Sequence, residues 1–134
     1  KQPWHFIVVT EKDLLQKLAE ANPHAAMAAK APLAIVVCGD MTKALDGDAR
    51  DFWIQDCSAA SENILLAATG MGLGAGWTGA YPAKERYTAV SEVLGLPESL
   101  IPLNTIVIGY PDTEATPKDK WTEENISYNM YGEE

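Results

Sequence analysis

The 134-residue chain is the size of one ordinary domain, able to bury a core of its own, and its 47% apolar content argues against disorder. A formal net charge of −9 excludes a broad nucleic-acid or anionic-membrane surface, since both need a positive field. Only Cys38 and Cys57 occur, with no CxxC, so neither a disulfide framework nor a thiolate zinc centre has support, and a cytoplasmic home fits. No stretch approaches the roughly 20 apolar residues of a membrane span, and no signal-peptide pattern opens the sequence.

In chain order, FIVVT at 6–10 predicts a strand buried on both faces, because its β-branched and aromatic run does not alternate. Thr10 then reads as the N-cap of a helix with Leu14, Leu15 and Leu18 on one face, ending near Asn22 and Pro23. The alanine-rich stretch 24–31 suits a short helical turn, and LAIVVCG at 33–39 is a buried strand. After a polar loop at 40–50, a long helix begins near Asp51. Its inward positions are Trp53, Cys57, Ala60, Ile64, Ala67 or Ala68, and Met71, and Gly70 and Gly72 stop it.

A glycine-rich strand or loop follows. Pro82 and Ala83 then open a helix with Tyr87, Val90, Val93 and Leu94 inward and Gly95 just past its end. LNTIVIG at 103–109 predicts another strand, 111–119 a polar loop, and 125–129 a short terminal strand. This order of elements implies a layered α/β arrangement in one domain over 1–134.

The candidate chemistry centres on Gly70, Gly72, Gly74 and Gly76 and the residues after them. Glycine lets backbone approach a neighbour closely, so the segment suits a flat ligand or a packed second chain. Gly74, Gly76 and Gly79 spell GxGxxG, but a dinucleotide fingerprint needs a strand before it, and here a helix precedes. A plain glycine-rich connection remains the alternative. His5 and His24 lack metal-ligand spacing, and no nucleophile motif is present, so neither a metal nor a catalytic side chain is assigned. Lys118 and Lys120 alternate in an acidic tail, where two lysines on one side suit a phosphate, with plain solvent exposure as the alternative.

Four stretches taken together resemble the FMN-dependent nitroreductase family: QPWHFIVV at 2–9, APLAIVVCGD at 31–40, QDCSAASENILLAATGMGLGAGW at 55–77 and PKDKW at 117–121. The resemblance implies an α+β, three-layer α/β/α sandwich with a central, mostly antiparallel sheet. It implies a homodimer with FMN at the interface, a C-terminal arm extending to the partner subunit, and the alanine-rich face of the long helix as dimer contact. Trp77, Thr78, Gly79 and Ala80 match the stretch whose backbone lies against the isoalloxazine ring, with a main-chain N–H near Gly79 directed to it. Lys118 and Lys120 match the pair that binds the FMN phosphate.

The implied activity is NAD(P)H oxidation coupled to reduction of nitroaromatics, quinones or similar electron-poor acceptors by ping-pong hydride transfer. The flavin carries the chemistry, which explains the lack of a catalytic side chain. Trp77 and Tyr81 are candidates to shape the substrate slot. Family members open with an arginine-rich phosphate-binding motif that this sequence lacks, so the expectation is an N-terminally truncated member. A flavin-deficient dimeric module of the same fold, or a reductive dehalogenase-type flavoenzyme, are the alternatives.

Overall fold

The computed structural model describes residues 1–132. Four strands, β1 (Trp4–Val9), β2 (Leu33–Asp40), β3 (Gly74–Gly79) and β4 (Leu100–Gly109), form one antiparallel sheet in the order β1-β2-β4-β3. Three helices cover it: α1 (Lys12–Ala21), α2 (Phe52–Gly70) and α3 (Lys84–Leu94). Alternation along β2 divides the core. Ala34, Val36 and Cys38 pack with Leu15 and Leu18 of α1 and Val90 of α3, while Val37 packs with Trp53 and Cys57 of α2 and Ile106 and Ile108 of β4. The three-layer α/β/α reading therefore holds, with α1 and α3 on one face and α2 on the other.

The central strands behave as their largely apolar sequences demand, since both faces of β2 and β4 are covered by helices. β1 does not: it is an edge strand, and Val8 is 62% exposed. The expectation of burial on both faces fails because β1 lies at the edge of the sheet, where Phe6 and Val8 on the α2 face stay exposed and only Trp4 packs on the α2 cluster. Glu11, not Thr10, precedes α1, and it makes no side-chain cap hydrogen bond. Met71 is 74% exposed rather than inward, because α2 ends at Gly70 and the chain turns away. Ser61, not Ala60, takes the buried position one turn beyond Cys57. Residues 125–129 form no strand; a 3-10 turn over Glu123–Asn125 precedes irregular, exposed chain.

Gly39 is fixed by packing: a Cβ there would collide with the Trp53 ring and come within 2.9 Å of Met41 Cε. The α2 layer thus rests directly on the backbone of β2.

Candidate functional site

The glycine segment becomes β3, the edge strand opposite β1. Its pairing with β4 sets Trp77 against Ile106, Thr78 against Thr105 and Gly79 against Asn104. Cross-strand partners share a face. Trp77 and Gly79 therefore lie on the α2 side with Ile106 and Asn104, while Thr78 lies on the other. Thr78 is buried and its hydroxyl donates to the Thr105 carbonyl at 2.6 Å. Trp77 is 40% exposed.

Ala80 N–H donates to the Leu103 carbonyl at 2.9 Å. In an antiparallel ladder the bonded direction alternates, so the N–H groups of residues 78, 76 and 74 also turn towards β4 and those of 75, 77 and 79 turn outwards. The Gly79 carbonyl, which leaves on the same side as its N–H, accepts from Asn22 Nδ2 at 3.1 Å. A Cβ built on Gly79 would meet nothing within 4 Å. An outward backbone donor thus stands beside open space, the combination a planar hydrogen-bond acceptor requires. Gly76 differs: a Cβ there would lie 3.3 Å from Met27 Sδ, so its missing side chain serves packing.

A register shift falls between Val37 and Cys38, which pair with Asn104 and Pro102, so Leu103 is the extra residue of a β-bulge beside Gly79 and Ala80. Bulges re-aim side chains and occur next to active sites. Here Leu103 and Asn104 both turn towards α2: Leu103 joins its apolar cluster, and Asn104 Nδ2 donates to Ser61 Oγ at 2.8 Å. Ser61 in turn donates to the Cys57 carbonyl at 3.0 Å. Asn104 Oδ1 is buried without a hydrogen-bond partner among the described residues.

Burial pushes the Cys38 thiol up to about 12 and that of Cys57 to about 11, so neither supplies a thiolate near neutrality. The hydroxyl of Thr42, donating to Asp40 at 2.6 Å, holds that carboxyl below its ordinary value. No group of three or more His, Cys, Asp or Glu able to hold a metal occurs among the described residues.

Trp77, Thr78, Gly79 and Ala80 are thus brought together by β3. Lys118 and Lys120 are not joined to them: both lie exposed in the tail, without an ion pair among the described residues. A hollow of about 680 Å³ also lies in the tail, bounded by Trp121, Ile126, Tyr128 and Tyr131 among others. These walls are exposed side chains, whereas β3 is part of the sheet. Sequence reasoning missed Asn22 and Asn104, whose roles depend on partners 57 and 43 residues away. The buried polar residue in the apolar run of β4 was the available signal for Asn104.

Residues 19–110 match the model of the nitroreductase family, and the chain belongs to that family. It is 43% identical to a protein of Methanothermobacter thermautotrophicus provisionally named NADH dehydrogenase/NAD(P)H nitroreductase, over 94% of this chain and 64% of that protein. An Archaeoglobus fulgidus protein with the same provisional name is 47% identical, over 85% of this chain and 64% of the relative. The chain therefore spans just under two thirds of the length of these relatives. Among solved structures, one of the same provisional name from Parabacteroides distasonis superposes with a TM-score of 0.89 at 46% identity, covering 96% of this chain and 74% of that one. An FMN-dependent nitroreductase from Clostridium difficile gives 0.86 at 28% identity, covering 97% and 77%. No helix among the described residues is long and apolar enough to cross a membrane.

Proposed function

We propose that residues 1–134 form one nitroreductase-like domain of a cytoplasmic, FMN-dependent NAD(P)H oxidoreductase. Its acceptors are nitroaromatics, quinones or similar electron-poor compounds, which alternate with NAD(P)H in one slot in a ping-pong cycle. The observation that carries this reading is the outer edge of β3, where the ladder turns the Gly79 N–H away from β4 and the face above Gly79, bare of a side chain, is open. When bound, FMN supplies the two-electron chemistry, and the protein supplies position and polarity.

Each residue has a part in that scheme. The Gly79 N–H offers a hydrogen bond to an acceptor on the flavin ring, and donors aimed at developing negative charge favour its reduction. Trp77 and Ala80 flank this contact, and Thr78 ties the strand to β4 from the opposite face. Lys118 and Lys120 are the phosphate ligands of the proposal, two exposed cations in an otherwise acidic tail.

The assembly in this reading is a homodimer. Its contact is the outer face of α2, where Phe52 and Leu66 are exposed with Ala59 and Ala67, and the tail is an arm whose Trp121, Tyr128, Met130 and Tyr131 are exposed. That arrangement would carry the two lysines to a site their own strand edge does not adjoin.

Reconstitution with FMN tests the reading. Purified protein should take up flavin and oxidise NADH or NADPH when given a nitroaromatic or quinone. The double variant Lys118→Gln, Lys120→Gln should bind FMN about tenfold more weakly and with a flatter salt dependence. Protein that takes up no flavin would overturn the cofactor assignment and favour a flavin-deficient module of the same fold.

A further inference from the structure

We infer that Asn22 is a positioning residue of the Gly79 site, holding the Gly79–Ala80 peptide plane so that the neighbouring Gly79 N–H faces the ligand. The inference rests on the reading of Gly79 as a flavin contact.

Asn22 sits where α1 gives way to the 3-10 segment Pro23–Lys30, and its side chain is completely buried, at 0% exposure. A buried asparagine needs partners for both ends of its amide. Oδ1 accepts from the His24 N–H at 3.0 Å, and Nδ2 donates to the Gly79 carbonyl at 3.1 Å. The two partners fix the amide's orientation, because an N–H can only meet the oxygen and a carbonyl can only meet the nitrogen. The first bond caps a helical turn, an ordinary task for asparagine. The second crosses to the sheet edge and has no part in capping.

Gly79 is the residue of β3 that most needs such restraint. It lies at the strand's end, beside a bulge, with no side chain to pack and the full conformational freedom of glycine. Its carbonyl and the Ala80 N–H belong to one peptide plane. Asn22 holds that plane on one side, and the Leu103 carbonyl, accepting from Ala80 N–H at 2.9 Å, holds it on the other. The preceding plane is set by the ladder to β4 through Thr78. With both planes fixed, the direction of the Gly79 N–H is fixed before any ligand arrives, and preorganised donors lose least on binding. Asn22 also satisfies the one outward acceptor beside that donor, so the edge presents an N–H rather than a competing carbonyl.

Two variants of the full chain separate this role from capping. Asn22→Ser keeps a hydroxyl able to cap the His24 N–H but too short to reach Gly79, and Asn22→Ala removes both bonds. Hydrogen exchange at the Ala80 amide in flavin-free protein should rise at least tenfold in both variants, and FMN should bind about tenfold more weakly to both. Asn22→Ser should nevertheless be the more stable to urea. If Asn22→Ser matches the unaltered chain in Ala80 exchange and in FMN affinity, the residue is only a cap and the inference falls. Should the unaltered chain bind no FMN, the flavin reading fails, and the exchange measurement alone still decides whether Asn22 clamps the strand. If Asn22→Ala does not fold, Asn22→Ser carries the same decision.

Discussion

The sheet has two edges, and they solve the problem of an unpaired strand in opposite ways. β1 keeps large side chains: Phe6 and Val8 are exposed, and a groove of about 470 Å³ runs beside it between Ile7–Glu11, Leu14, Val93 and Leu94. β3 sheds side chains at 74, 76 and 79, and at Gly79 the backbone itself is left open. An apolar edge suits further protein, since exposed strands of this kind recruit other chain. A glycine edge suits a ligand that needs hydrogen bonds at close range. The same hydrogen-bonding groups thus serve two purposes according to what surrounds them.

The contrast can be broken first at a glycine that belongs to neither edge. Gly39→Val should cost about 3 kcal/mol, the upper range for overpacking a core, because the new side chain enters the space of the Trp53 ring. A fall in Tm of about 10 °C would register it. The same substitution at Gly79 has room for its Cβ and should leave the urea midpoint nearly unchanged. FMN affinity should instead fall at least tenfold; full flavin occupancy in Gly79→Val would remove the proposed ring contact from this edge.

At the other edge, Val8→Lys should alter the stability of the isolated fold by less than about 0.5 kcal/mol, since the side chain already faces solvent. If β1 recruits chain in the dimer, sedimentation should show several-fold weaker self-association. Unchanged association would restrict the dimer contact to α2 and the tail.

The smallest effect concerns what the edges share. Cys38 and Cys57 are buried between them, with folded pKa values raised to about 12 and 11. Because the folded state resists losing these protons, their contribution is complete below the unfolded value near 9 and is lost as pH climbs from there through 11 and 12. Neither thiol should react with an aromatic disulfide reagent at pH 8 until urea unfolds the chain. Rapid labelling of native protein would show that the core opens far more often than its packing implies.

Much of this fold was legible because local pattern and tertiary role coincide. The apolar runs of β2 and β4, the spacing of Trp53, Cys57 and Ile64 on α2, and Gly95 after α3 in its left-handed conformation all carry their meaning in a short window. β1 was harder, because FIVVT states that the strand is apolar but not that one side lies at an edge. The terminal strand expected at 125–129 failed because the tail joins neither edge of the sheet, and an extended segment without a ladder partner forms no strand.

The candidate site divides in the same way. Trp77 to Ala80 were marked by composition and by resemblance, whereas Asn22 looked like a helix terminator and Asn104 like one residue of an apolar strand. Their bonds to Gly79 and Ser61 join elements distant in sequence, and no local pattern encodes such partners. Gly39 was hidden for the same reason, since the ring that requires its missing side chain lies 14 residues away on another element.

The central claim is that the backbone of β3 at Gly79 is where the flavin ring is met. Selective ¹⁵N-glycine labelling with FMN titration tests it directly, because each glycine amide reports its own surroundings. The Gly79 amide should shift most, with Gly39 and Gly95 nearly still; bound flavin with an unmoved Gly79 would contradict the account.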